Sequence, residues 1–239
     1  TVNDFQLPPA QYIKTNFRSF INESKLSELV IASKDGWWHG YQHGIGIIGH
    51  AAPIAYLLKF HTIYIASTYT IQDKVICASD PTIDSKVRFG GSHVFHDQYE
   101  HNRQEKLQII THYCNINHQK VEPHVCWISS GGKNCCKCEK CIRTIYGLLA
   151  EGVSPKDYGF NYTSRQFRMM PIIMIVNLMN APQQIRILWE DIQNRFKETQ
   201  RGKDSLYTQW IHRINVHSEH LLLRQYVHYI YQFYKRMFQ

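Results

Sequence analysis

The sequence predicts an α/β domain that is followed by a helical region. Residues 62–67 are β-branched, aromatic and small, which is typical of a buried strand, and they lie between an apolar stretch and a polar loop. After residue 141, apolar residues recur at helical spacing through most of the chain. We place the α/β domain at residues 1–160 and the helical region at residues 161–239.

The composition indicates a folded protein. The chain has 239 residues, of which 44% are hydrophobic and 19% are charged, so it can bury the core of one domain with an appendage. No apolar run approaches the length that spans a bilayer, and nothing resembles a secretory signal. Seven cysteines are an odd number for a disulfide framework. We therefore expect a cytoplasmic protein with no membrane contact.

The positive charge is concentrated in the C-terminal third. The net charge is +8, and residues 160–239 contain 11 Lys/Arg against 5 Asp/Glu. Such an excess favours a phosphate-bearing partner such as nucleic acid. A solvated helical face without any partner explains the same charges.

Strands and helices alternate in the predicted α/β domain. We predict strands at residues 12–16, 62–67 and 92–96, and helices at residues 44–59 and from residue 102 onward. Ligands bind at the carboxyl ends of strands in open α/β sheets. Asn16, Arg18 and Ser67 lie at or just after the carboxyl ends of predicted strands, so they are candidate cofactor-binding residues. Asn16 and Arg18 could equally cap and solvate a turn.

Residues 36–50 contain five glycines, three histidines and two tryptophans. We interpret them as a loop that leads into a helix, because the glycines argue against a helix across the whole stretch. His43 and His50 lie at or inside the start of that helix, where anions can bind. His39 fits better as a histidine packed among aromatic neighbours.

Further candidates follow in the next two segments. Asp80 and Asp84 lie in a long loop and could bind Mg²⁺ with nucleotide phosphates, although Asx turns around Pro81 explain them equally well. His96 and Asp97 end the third predicted strand and are candidate catalytic residues.

Two cations open the helix that follows. Arg103 and Lys106 stand in its first turn, where positive charge opposes the helix dipole. This placement suggests that they serve an anion such as phosphate. A salt bridge to Glu100 or Glu105 is the alternative.

One cysteine motif predicts a metal site. Cys126 is followed, after eight residues, by Cys135, Cys138 and Cys141, and four thiolates at such spacing can close on one tetrahedral centre. Zinc or an iron–sulfur cluster suits this ligand set. Cys136 is an alternative to Cys135, although the spacing favours Cys135. A closed site leaves no position for a catalytic water, so we expect the metal to be structural.

The cysteine motif and the helix after it resemble the zinc knuckle of 7-cyano-7-deazaguanine synthase, a PP-loop ATP pyrophosphatase of the adenine nucleotide alpha hydrolase-like family. A series of short motifs resembles a group of bacterial PP-loop-like proteins and holds its order from about residue 14 to residue 152. The matching positions are Gly49-His50, Tyr64 to Ser67, Pro81 to Asp84, His96-Asp97, Arg103 to Lys106, Cys126-Trp127 and Asn134 to Thr144.

The resemblance implies a Rossmann-like PP-loop domain, of which this chain is the C-terminal part. The family's S-G-G-x-D-S phosphate loop does not occur in the sequence. Supplied with that loop, the chain would belong to an ATP- and Mg²⁺-dependent ligase that releases AMP and pyrophosphate. Arg103 and Lys106 would then stabilise phosphate charge, while His50, His96 and Asp97 would position substrate or move protons.

The expected partners are a small-molecule or nucleotide-derived substrate and, as an assembly, a second copy of the chain. The alternative function is a non-catalytic, zinc-containing module that binds nucleic acid or a protein through its basic helices.

Overall fold

The structure is a computed structural model, and it describes residues 5, 7–9, 11–29, 36–73, 75–126, 128–129, 132–218, 223, 226–227 and 230. It is a mixed α/β protein. By its contacts the chain divides into two compact units, one of Pro9–Asn102 and one of Arg103–Gln239 with Thr1–Pro8. The predicted domain boundary near residue 160 falls within the second of these units and stays a prediction about domain organisation.

In its described residues, the first unit, Pro9–Asn102, contains a small sheet, four α-helices and one π-helical turn. The helices are α1 (Phe17–Phe20), α2 (Glu23–Ser27), α3 (His43–Leu57) and α4 (Pro81–Asp84). The strands are β1 (Thr62–Ala66), β2 (Arg88–Phe89) and β3 (Ser92–Asp97), in the order β1-β3-β2. β1 runs parallel to β3, with Thr62 opposite His93 and Ala66 opposite Asp97, whereas β2 is antiparallel to β3.

The two faces of this sheet differ in burial. Along β3, Ser92, Val94 and His96 are buried, and the residues between them point to the other face. On that other face Tyr64 is 68% exposed and Phe95 is 49% exposed, with ring centroids 5.7 Å apart. The prediction that residues 62–67 form a buried strand is therefore wrong in part, because only one face of the strand is covered.

The predicted strand at residues 12–16 is wrong. This segment has no strand pairing in the structure and leads directly into α1. The apolar and aromatic side chains of this segment suggested a strand, but such side chains favour a strand only where they pack on a sheet. Tyr12 is instead 90% exposed. Asn16 is the residue before α1 rather than the end of a strand.

Residues 38–42 are helical, in contrast to the predicted loop, whereas the predicted helix at residues 44–59 agrees with α3. Residues Trp38–Gln42 form a π-helical turn that runs directly into α3. The turn places the rings of His39 and His43 6.1 Å apart. Glycine lacks a side chain that could clash here: a Cβ on Gly46 would lie 3.3 Å from the Trp38 ring. Close packing of the tryptophan thus outweighs the low helix propensity of glycine.

The second unit is helical in its described residues. Its helices are α5 (Arg103–Ile116), α6 (Glu139–Ala150), α7 (Ser164–Met179), α8 (Gln183–Thr199) and α9 (Leu206–Arg213). α9 was not predicted. Residues 223, 226, 227 and 230 are helical and lie in the predicted helical region, and the other residues from 219 to 239 lie outside the described part of the chain.

The core of this unit is centred on α6. Ile142, Ile145, Tyr146 and Leu148 on this helix are fully buried. The Tyr146 hydroxyl donates to the Tyr207 carbonyl at 2.5 Å and accepts from the Trp210 indole at 3.0 Å. The helix that follows the cysteine motif is therefore the most buried element among those described, and it anchors the motif to a rigid core.

Candidate functional site

The four predicted cysteine ligands converge at the start of α6. The sulfurs of Cys126, Cys135, Cys138 and Cys141 all lie within 4.8 Å of one another. Cys138 is the N-cap of α6 and Cys141 lies in its first turn, so the helix positions two of the four sulfurs. The other two come from the loop between α5 and α6. The cluster can therefore hold a metal ion.

The spacing of the sulfurs fits a single tetrahedral ion. Zn–S bonds of about 2.3 Å set the sulfurs of a regular tetrahedron about 3.8 Å apart. The Cys135 and Cys141 sulfurs are 3.8 Å apart, and those of Cys126 and Cys138 are 4.0 Å apart. A four-iron cluster binds each thiolate to a different iron and needs a wider spacing. The geometry favours zinc over such a cluster.

The structure distinguishes Cys135 from its neighbour Cys136. The Cys135 sulfur accepts backbone N–H groups from Lys137 at 3.4 Å and Cys138 at 3.3 Å, an arrangement that stabilises a thiolate. The Cys136 sulfur instead contacts the Asn134 carbonyl oxygen at 3.7 Å, and the residue is 2% exposed. Cys135, and not Cys136, is one of the four residues whose sulfurs all lie within 4.8 Å of one another. The structure therefore places in the cluster the cysteine that the spacing favours.

Burial and backbone dipoles act differently on the thiols. Burial alone would raise the pKa of Cys126, but N–H groups near Cys135, Ser129 and Ile128 lower it to about 6. Burial raises the pKa of Cys138 and Cys141, and it raises that of Cys136 to about 11. Cys126 is therefore a thiolate at neutral pH, and a bound cation would displace the protons of the buried thiols Cys138 and Cys141.

Two polar side chains that were not predicted hold the metal site in place. The Asn134 amide accepts from the Val125 N–H at 3.1 Å and donates to the Pro123 carbonyl at 2.8 Å, so it fixes the segment that carries Cys126. Glu139 accepts from the Trp189 indole at 3.1 Å, which ties the first turn of α6 to α8. Supporting contacts of this kind orient metal ligands.

A small cavity lies at the carboxyl ends of β1 and β3. Its lining includes Ser67, which follows β1, and His96 near the end of β3. His43 of α3 and Tyr99 line it as well. Four of the candidate residues, His43, Ser67, Asp80 and His96, therefore share one cavity at the edge of the sheet where α/β proteins bind ligands.

Asp84 is a hydrogen-bond partner of His96. Its Oδ2 atom lies 2.9 Å from His96 Nδ1 and accepts the Ser79 hydroxyl at 2.7 Å, and the residue is 0% exposed. An aspartate on Nδ1 fixes the proton there and leaves Nε2 as the basic nitrogen. The Cα of Gly44 on α3 faces this carboxylate: a Cβ at that position would lie 2.1 Å from Asp84 Oδ1.

Several other predicted residues lie elsewhere. His50 Nε2 is 3.1 Å from the Thr15 hydroxyl, its Nδ1 contacts the Gly46 carbonyl, and it does not line the cavity. Asp97 is next to His96 on β3 but on the opposite side of the strand, and its carbonyl accepts the Ser67 N–H at 2.9 Å. The catalytic roles of His50 and Asp97 remain predictions.

The remaining predicted residues are placed as follows. Asn16 is exposed before α1, and the side chain of Arg18 lies outside the described part of the structure. Asp80 caps α4 by accepting the Thr82 N–H at 2.8 Å, the turn interpretation that the sequence had left open. Arg103 and Lys106 lie in the first turn of α5, in the second unit, and their predicted phosphate-binding role is still a prediction.

One cysteine–histidine pair in the cavity was not predicted from the sequence. The Cys77 sulfur lies 3.4 Å from His43 Nδ1, and both residues line the cavity with Ser67 and His96. His43 was a candidate, but no pattern connected it with a cysteine 34 positions later in the chain. Only the fold brings the two side chains together.

These features define a mixed α/β protein with a four-cysteine metal site and a separate polar cavity at the edge of its sheet. No protein-family model, curated protein or solved structure gives a significant match to the chain. No helix within the described ranges is long and apolar enough to cross a membrane.

Proposed function

We propose that this chain is part of an ATP-dependent, adenylating enzyme of the PP-loop type, with a structural zinc ion and a substrate site at the carboxyl ends of β1 and β3. The observation that carries the proposal is the meeting of Ser67 and His96 in one cavity, with Asp84 buried behind His96. These three residues come from separate segments, and each was a candidate from the sequence.

The strand arrangement supports the position of this site. β1 and β3 are parallel neighbours in register from Thr62 opposite His93 to Ala66 opposite Asp97. Their carboxyl ends therefore meet at one edge, where backbone groups and loop residues bind ligands in α/β sheets. The loops that follow both strands supply polar side chains to this edge.

The uncovered face of the sheet supports a further layer of structure. Parallel sheets are normally covered on both faces, yet Tyr64 and Phe95 are exposed on one face of this sheet. In the proposal, a segment or chain that carries the phosphate loop covers this aromatic face. The loop would then bring ATP phosphates and Mg²⁺ to the carboxyl edge.

The proposed reaction adenylates a small molecule or a nucleotide-derived substrate. A carboxylate or carbonyl oxygen of the substrate attacks the α-phosphate of ATP and releases pyrophosphate, and an amine or similar nucleophile then displaces AMP. His96, held by Asp84, moves a proton during these steps. Zinc takes no part, because four thiolates close its coordination shell.

ATP–pyrophosphate exchange tests this proposal. We would measure it on this chain and on a version extended by the coding sequence that precedes it, with the zinc content determined on the same samples. The variant His96→Asn should abolish exchange in the active sample. His93→Asn is the matched control, since His93 lies on the exposed face of the same strand. Zinc-loaded samples that never exchange, or equal losses in both variants, would overturn the proposal.

A nucleic-acid-binding module is the second candidate, and the excess of 11 Lys/Arg over 5 Asp/Glu in residues 160–239 favours it. Two of these arginines serve the fold. Arg186 donates to the Ala181 and Val216 carbonyls, and Arg195 pairs with Glu151 at 2.8 Å. Strong, salt-dependent binding of RNA or DNA without ATP turnover would support this function over the first.

A further inference from the structure

We propose that Cys77 is a nucleophilic cysteine, activated by His43, which forms a thioester with a small activated acyl group in the cavity at the edge of the sheet. The inference goes beyond the proposed adenylation, since it requires neither ATP nor a phosphate loop.

The geometry of Cys77 is that of an activated nucleophile. His43 Nδ1 lies 3.4 Å from the sulfur, within reach for transfer of the thiol proton. The Ser79 N–H donates to the same sulfur at 3.4 Å and stabilises negative charge on it. Cys77 is half-buried at the wall of the cavity, so a substrate can reach the sulfur.

A second acid–base pair faces the same cavity. His96 lines it, and Asp84 holds the Nδ1 side of this imidazole at 2.9 Å. The edge of the Tyr99 ring packs on the imidazole with centroids 5.6 Å apart. Ser79 connects the two pairs, because its N–H contacts Cys77 and its hydroxyl contacts Asp84 at 2.7 Å. The nucleophile and a separate oriented base therefore form one connected group.

The size of the cavity limits the substrate. Its volume of about 20 Å³ is enough for one water molecule or a carbonyl group. Only the reacting end of a substrate therefore enters, and the rest lies outside. Small acyl groups on a good leaving group, such as thioesters, activated esters or acyl phosphates, fit this requirement.

The proposed chemistry is acyl transfer in two balanced steps. First, His43 takes the thiol proton, the sulfur attacks the acyl carbon, and the leaving group departs with that proton as the acyl–sulfur bond forms. Next, His96 takes a proton from water, the hydroxide attacks the thioester, and the carbon–sulfur bond breaks. The proton returns to the sulfur. The sum converts an acyl donor and water into a carboxylic acid and the protonated leaving group.

A small activated ester provides the test. Zinc-loaded protein is mixed with p-nitrophenyl acetate, and p-nitrophenolate release is followed while peptide mass spectrometry locates the acetyl group. We expect a burst and an acetyl adduct on Cys77. His43→Gln keeps the thiol and should slow the burst about 100-fold, the usual contribution of a general base. His96→Gln should leave the burst intact and prolong the life of the adduct.

Matched variants make the result decisive. Cys114→Ala removes another non-ligand cysteine, one buried in the helical unit, and should leave the burst unchanged. His93→Gln removes a histidine from the exposed face of β3 and should also leave it unchanged. An adduct confined to other residues, or a Cys77 that reacts no faster than glutathione at the same pH and is insensitive to His43→Gln, would overturn the inference. Neither result depends on ATP exchange, so this proposal and the adenylation proposal fail separately.

Discussion

The adjacent cysteines 135 and 136 allow a sharp test of the metal centre. Replacing Cys135 with alanine removes a sulfur that lies 3.8 Å from the Cys141 sulfur and accepts two backbone N–H groups. Replacing Cys136, the next residue, removes a buried sulfur that contacts the Asn134 carbonyl oxygen. We expect Cys135→Ala to lose zinc and Cys136→Ala to keep one zinc ion per chain.

The two variants should also differ in the free energy of unfolding. A ligand that binds only the folded state stabilises it by about 4 kcal/mol when its free concentration is 1,000 times Kd. Cys135→Ala should lose most of this amount under such conditions, since three thiolates bind zinc far more weakly than four. Cys136→Ala should cost about 1 kcal/mol, the effect of one small buried group. Its φ of +55° is equally unfavourable for cysteine and alanine, so the backbone adds nothing.

Zinc per chain is measured by elemental analysis, and stability by denaturant unfolding with and without a chelator. Wild-type protein and Cys136→Ala should lose stability on chelation, whereas Cys135→Ala should show almost no further loss. A Cys135→Ala protein that retains full zinc while Cys136→Ala loses it would show that the assignment of the fourth ligand is wrong.

Three further predictions concern the surroundings of the metal site. Glu139→Ala should lower the free energy of unfolding by about 1–3 kcal/mol and change tryptophan fluorescence, because it leaves the buried Trp189 indole without its acceptor. Glu139→Gln keeps an acceptor oxygen, so its stability and fluorescence should be close to those of the wild type. Gly147→Ala should lower the free energy of unfolding by about 1–3 kcal/mol, as measured with denaturant, because the added Cβ would lie 2.6 Å from the Leu107 side chain. Gly49→Ala is the control: its Cβ would have nothing within 4 Å, so the substitution should stabilise α3. Zinc binding at pH 7 should release at least two protons, because the pKa values of the Cys138 and Cys141 thiols are raised. The affinity for zinc should therefore fall as the pH falls. Calorimetry in buffers of different ionisation enthalpy would count the released protons.

Local patterns in the sequence were sufficient for the metal site. All four ligands lie within sixteen residues, and two of them lie on or beside one helix turn, so spacing alone determined which sulfurs could meet. The strands at 62–66 and 92–97 and the helices α3 and α5 were predicted for the same reason, because each is a short periodic pattern.

Contacts between distant residues could not be read from such patterns. The partner of His96 is Asp84, twelve positions earlier, and not the neighbouring candidate Asp97. Adjacent residues on a strand point to opposite faces, so their proximity in the chain does not bring their side chains together. The exposed aromatic face of the sheet could not be predicted either, because an apolar strand has the same sequence pattern whether one or both of its faces are covered.

The cysteines illustrate how environment rather than residue type decides chemistry. The four clustered sulfurs lie near one another and accept N–H groups, so a cation neutralises their charge and makes them poor nucleophiles. Cys136 is buried and its pKa is raised to about 11, so it stays a neutral packing group. Cys77 has an imidazole at 3.4 Å and a cavity in front of it. With zinc bound, an electrophile should therefore select Cys77, and only after chelation should the clustered cysteines compete for it.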